Sequence, residues 1–216
     1  MMNLFTLFDP CTGSFSLNWL SSLSLFLFFP YSYWFYQGKL SVLFFRFISF
    51  FFNEICSLSN YFNSIIFYLS IFFYVLVINL IGLIPYVFTS SSHLVFSLGL
   101  SLSFWLSLMI FGWLNKSNFM FIHLVPMGTP YVLMPFMVLI ETISNFIRPL
   151  SLAVRLSANM IAGHLLMSLL GQSTCWIFFF FFFFFVYLMI FLFELAVSFI
   201  QSYVFMTLGV LYSSEV

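Results

Sequence analysis

A few side chains able to carry charge or protons stand inside long apolar runs. Glu141, Arg148 and Arg155 are spaced by seven residues. On a helix of ~100° per residue that spacing drifts only ~20° per step, so the three line one face. Asn145 and Asn159 join them, each four residues beyond Glu141 and Arg155 respectively. His164 follows Arg155 by nine residues, which is ~900°, or half a turn round, and ~13.5 Å along the axis. Glu141 and His164 therefore lie on opposite sides of Arg155, both along the helix and around it. Further on, Glu194, Ser198 and Gln201 share a face at i, i+4 and i+7. Glu215 lies twenty-one residues after Glu194, ~31 Å away if the helix continues.

An imidazole and carboxylates among apolar neighbours can take up and release protons, whereas a guanidinium holds its charge. Arginine placed mid-membrane costs at least ~2.5–3.5 kcal/mol on insertion scales, so Arg155 demands a reason. One reason is a charge pathway; the other is that these groups pair among themselves and fix helix packing. Ser151, Ala158 and Ala162 lie on or beside the Arg155 face, with Gly163 adjacent, and such small residues admit another helix closely. That helix is either the neighbour in the same hairpin or one from a second polypeptide, and the spacing leaves both open.

The elements that must position these groups follow from the composition. Of 216 residues, 64% are hydrophobic and 5% charged, and the mean hydropathy is +1.18. Such a chain faces lipid over most of its surface. Five basic residues balance five acidic ones, so no basic face points to nucleic acid. Cys11, Cys56 and Cys175 are scattered without ligand spacing and read as small apolar residues. The start, MMNLFTLFDPCTGSF, lacks the basic region of a secretory signal or transit peptide. That suits synthesis in the compartment where the protein works.

Residues 17–36 are expected to form a first span, interrupted by Pro30. Residues 38–63 mix Lys39, Arg46, Asn53 and Glu54 with apolar residues, which suits a segment lying in the interface. Residues 64–88 and 94–114 read as a helical hairpin around the turn TSSSH, closed by NKSN at 115–118. Pro126, Pro130 and Pro135 then predict irregular or broken backbone. Two long apolar segments follow, 136–170 and 176–212, separated by GQSTC. At ~1.5 Å per residue they reach roughly 52 and 55 Å, too long to stand upright in a core of ~30 Å. A steeply tilted hairpin is expected rather than four short spans, with Pro149 offering a bend. The run Phe178–Phe185 is low-complexity and carries no evident chemistry. The chain thus divides into an N-terminal span with an interfacial segment (1–63), a transmembrane hairpin (64–122) and a long hairpin bearing the charges (123–216). The fold class is an all-α polytopic membrane protein.

The run PLSLAVRLSANMIAGHLLMSLLG at 149–171 resembles the signature of the ATP synthase subunit a family, also called F0 subunit 6, in its mitochondrial form. NLIGLIPYVFT (79–89), HLVPMGTPYVLMPFMVLIETIS (123–144) and FELAVSFIQSYVFMTLGVLY (193–212) agree in order and spacing. Residues 1–63 carry no such signature. The resemblance implies a stator subunit of the membrane F0 sector, multi-pass in the mitochondrial inner membrane and encoded in the organelle. It has no catalytic site of its own and needs no cofactor. Its long tilted helices would face a rotor, the c-ring, with peripheral-stalk subunit b and other small F0 subunits as further partners. Protons would pass through two offset half-channels to and from the ring carboxylates. Arg155 matches the family's essential arginine. His164, Glu194, Asn159 and Gln201 match the inlet, and Glu141, Glu215 and Arg148 the outlet.

The chemistry agrees with those roles. Guanidinium effectively never deprotonates, so it cannot relay protons between half-channels. Its charge favours the ionised form of a carboxylate opposite, which then releases its proton. The His/Glu pair argues for protons over sodium. Three other classes compete. A haem or metal protein would use His93, His123 and His164, but these lie on separate segments without ligand spacing. An intramembrane hydrolase would need a nucleophile turn such as GxSxG, which is missing. A pure scaffold should tolerate loss of Arg155.

Overall fold

The computed structural model describes residues 8–23, 38–58, 62–84, 87–125, 128–173 and 180–215, and these are helical or lie in turns. Among the described residues six α-helices follow in order: α1 (Lys39–Leu58), α2 (Phe62–Gly82), α3 (Leu94–Asn115), α4 (Ser117–His123), α5 (Met134–Ser173) and α6 (Phe180–Glu215). Short 3-10 helices occupy Leu17–Leu23, Ser90–Ser92 and Tyr131–Leu133. All but α4 are long and apolar enough to cross a membrane.

The core forms around α2, the helix most covered by its neighbours. Its Ile65, Tyr68, Phe72, Phe73 and Leu76 pack with Ile55 of α1, Phe104 of α3, and Met206 and Val210 of α6. Gly209 makes the closest approach possible, since a Cβ there would lie 3.1 Å from the Phe104 ring. A second cluster joins Val75 of α2 to Leu152 and Leu156 of α5 and Phe205 of α6. Most remaining surface is apolar side chain turned outward, as expected where lipid is the solvent.

Residues 17–23 of the first expected span form a 3-10 helix, and 24–37, with Pro30, lie outside the described residues. Helix α1 is the most strongly amphipathic of the long helices. Its Lys39, Arg46 and Asn53 repeat every seven residues on an exposed face, while Phe44, Phe47 and Phe51 pack on Phe72 and Phe73. That division agrees with an interfacial segment, although its length also permits crossing.

The proline-rich stretch is irregular where described. Gly128 takes φ +96°, a conformation open to glycine at little cost, and Pro130 is extended at φ −65°, ψ 143°. Pro135 instead falls in the first turn of α5, where its missing N–H would have had no helical partner. The two long segments are single helices of 40 and 36 residues, about 60 and 54 Å. Helix α5 runs unbroken through Pro149 and takes in the GQS of the expected turn, so four short spans are excluded. Phe180–Phe185 belong to α6, with Phe182, Phe184 and Phe185 exposed. Phe178, Phe179 and Cys175 lie outside the described residues.

Candidate functional site

Helix α5 carries two chemically different faces. One is an exposed stripe on which Leu150, Ser151, Val154, Arg155, Ala158, Ala162 and Leu166 succeed one another. Among the described residues Arg155 forms no ion pair. Glu141 and Arg148, by contrast, answer each other. Arg148 Nη2 lies 4.0 Å from Glu141 Oε1, and the guanidinium carbon sits 5.0 Å over the Tyr212 ring of α6. The structure therefore divides the heptad row expected from sequence. Its first two members pair, as the packing alternative requires, and the third does not.

The cavity beside that pair has a volume of about 220 Å³ and lies between α3, α4, α5 and the Tyr212 end of α6. Trp105, Trp113, Thr142 and Asn145 share its lining with Glu141 and Arg148.

The flank of α5 beside the exposed stripe turns to α6 and is polar. Asn159 Nδ2 donates to Gln201 Oε1 at 3.1 Å, across the two long helices. Gln201 is buried, and its Nε2 has no partner. Glu194 is 5% exposed, with Oε2 also unpartnered. Ser157, Ser198 and Ser202 are buried nearby on the same two helices, their hydroxyls donating back to carbonyls of the preceding turn.

Gly163 shows why this face needs a missing side chain. A Cβ there would collide with the Glu194 carboxyl group. The small residues thus split, with Ser151, Ala158 and Ala162 on the uncovered Arg155 face and Gly163 holding a notch for an acid. His164 follows at once. Its Nε2 is buried without a partner, its ring is near enough to the Gly82 backbone to interact with it, and Phe8 meets it edge-on at 6.4 Å between centroids. His164 and Glu194 are gathered around one glycine without bonding each other directly. Glu215 ends α6, and its side chain lies outside the described residues.

Sequence reasoning gave Asn79 no role. It is fully buried on α2, with neither amide atom partnered. It continues the stripe of Phe72 at i+7, the side of α2 that packs on α6. A lone amide in so apolar a helix was the available signal.

An all-helical fold among the described residues, a lipid-type surface, a buried acid and buried amides, and an uncovered guanidinium define a polytopic membrane protein built to handle charge. The comparisons specify the class. Residues 18–214 match the protein family described as ATP synthase A chain. Similar along their length are the ATP synthase subunit a of Anopheles gambiae, 48% identical over 226 residues, and that of Drosophila melanogaster, 47% over 223. The Locusta migratoria protein is 46% identical over 223 residues. In each case the match covers 100% of this chain and 99% of the relative. The chain belongs to the ATP synthase A chain family, the proton-translocating stator subunit of the F0 sector, and is not a catalytic subunit.

Proposed function

We propose that Arg155 faces the carboxylate of a rotating c-ring and separates two offset half-channels in this chain. The inlet would use His164, Glu194, Asn159 and Gln201, with Asn79 added as a further polar lining residue. The outlet would use Glu141, Arg148 and Glu215. The complex would lie in the mitochondrial inner membrane, with peripheral-stalk subunit b and other small F0 subunits as neighbours and this chain made inside the organelle. Helices α5 and α6 would lean steeply, because about 60 and 54 Å do not fit upright in a core of ~30 Å.

One observation supports this reading above the others. Arg155 is exposed and unpaired on a small-residue stripe, while Glu194 and Gln201 of α6 are buried against the flank of α5 that bears Asn159 and Gly163. A permanent cation with no acid of its own calls for an acid on another subunit. A small-residue surface lets a neighbouring helix pass at close range. As a ring carboxylate arrives, the guanidinium favours its ionised form and the proton leaves toward the outlet. The next carboxylate takes a proton from the inlet before it can move on into lipid. Because Arg155 keeps its own protons, no direct path joins the two sides, and flow requires rotation.

The test is Arg155→Ala in the assembled complex. Proton-driven ATP synthesis should vanish while the complex remains intact on a native gel. Normal synthesis would refute the assignment and favour a scaffold.

A further inference from the structure

The turn between α2 and α3 is buried, although connecting segments ordinarily run over the surface. Thr89, Ser90, Ser91 and Ser92 are each under 5% exposed, and the turn packs against α2, α3 and α5. Two of the hydroxyls satisfy each other. Ser92 Oγ donates to the Thr89 carbonyl at 2.7 Å and accepts from Thr89 Oγ1 at 2.9 Å. Ser91, at 1% exposure, has an Oγ without a partner, and so does the buried Nε2 of His93. Buried hydroxyls and imidazoles without protein partners are the groups that ordered water satisfies.

This polar turn comes close to His164 at Gly82. Gly82 has no side chain, and a Cβ there would press on Thr89 Cγ2 at 3.2 Å and Met160 Cε at 3.4 Å. The backbone of the same glycine interacts with the His164 ring. The N-terminal segment lays aromatic rings against this turn and against His164. Trp19 lies 5.2 Å from His93 and 5.6 Å from Phe88, which itself lies 5.1 Å from His93. Phe8 covers His164. The segment is held folded by its own bonds, with Asn18 Nδ2 donating to the Asp9 carbonyl at 3.2 Å and the Cys11 N–H to Asp9 Oδ1 at 3.1 Å. Residues 8–17 precede the part of the chain that matches the family.

We infer that Thr89–His93 forms the outer section of the inlet, a water-bearing passage by which a hydrated proton reaches His164 past Gly82, roofed by Phe8 and Trp19. This rests on the proposed role of His164. Two aromatic rings over two imidazoles restrict access without supplying charge that would trap the proton, and the row of hydroxyls offers both donors and acceptors for water. The exposed Asp9 stands beside Phe8 at the mouth, where a carboxylate raises the local concentration of cations.

The experiment places a thiol at Ser91 (Ser91→Cys) in an assembled complex whose Cys11, Cys56 and Cys175 are replaced by Ser or Ala. A membrane-impermeant cationic methanethiosulfonate is added from each face in turn. We expect labelling from the inlet face only, loss of proton conduction in step with labelling, and a labelling rate several-fold higher in Trp19→Ala. Should Ser91→Cys fail to assemble, Ser90→Cys carries the same expectation. Absence of labelling in both Trp19 backgrounds, labelling from the other face, an unchanged rate in Trp19→Ala, or labelling with conduction intact would overturn the inference. His164→Ala keeps the two readings apart. It should slow conduction while leaving the Ser91→Cys labelling pattern as it was, so a failure of the passage leaves the role of His164 standing.

Discussion

Arg148 and Arg155 stand two helical turns apart on α5, and their surroundings differ in one respect that decides their chemistry. Arg148 has Glu141 at 4.0 Å and the Tyr212 ring at 5.0 Å. Arg155 has neither an acid nor a covering helix among the described residues. A guanidinium whose charge is met inside its own chain fixes packing. One whose charge is unmet is, on the proposed reading, left to act on a neighbouring subunit. The alternative of mutual pairing, respectable from the spacing, therefore holds for one arginine and fails for the other.

The comparison can be broken most directly at Arg155. Arg155→Ala should abolish ATP synthesis, and Arg155→Lys should restore it poorly, because a desolvated ammonium gives up its proton where a guanidinium does not. Synthesis rates in inverted membrane vesicles, with assembly followed on native gels, report both.

Next in size is the inlet. His164→Ala should lower proton-driven synthesis by about 10²-fold, the scale of losing one positioned proton-transfer group. Passive proton leak, followed with a pH-sensitive dye, should stay at its ordinary level. A fully leaky membrane would contradict the assignment.

Gly163→Ala sharpens the contrast between the two faces. The colliding atoms are the far end of a flexible Glu194 side chain, so the carboxyl should swing aside at small cost in stability. We expect a normally assembled complex whose proton flux falls several-fold, while Ala162→Gly on the exposed face changes flux far less.

Arg148→Gln should reduce synthesis only a few-fold, since the charge it removes is already met by Glu141. An effect as large as that of Arg155→Ala would erase the distinction. Smallest of all, replacing exposed Phe184 and Phe185 by Leu should alter synthesis by less than about twofold, as surface substitutions generally do.

Sequence periodicity resolved the helices well because lipid imposes it. Every backbone group must bond within its own segment, so apolar runs become helices and polar breaks become turns. It placed Arg155 and His164 on opposite sides of one helix, and so they lie. It misjudged the turn after α5. GQS continues the helix, because nothing there outweighs the hydrogen bonds that one more helical turn supplies. Gly163, expected only as a neighbour of the small-residue face, sits about a hundred degrees from Ala162 and meets Glu194, a contact the spacing did not show. Asn79, the buried serines and the aromatic cover of Phe8 and Trp19 were not legible. Their meaning depends on contacts between residues some seventy positions apart or more, such as Phe8 with His164, and no local period encodes those.

The uncovered guanidinium also bears on how the chain comes to be where it is. On the proposed reading, a solitary copy holds an uncompensated cation within hydrocarbon, a burden of at least ~2.5–3.5 kcal/mol that joining the rotor relieves. The same side chain that directs traffic in the finished machine would then favour docking beforehand, and orphan copies would be natural targets for quality-control proteolysis.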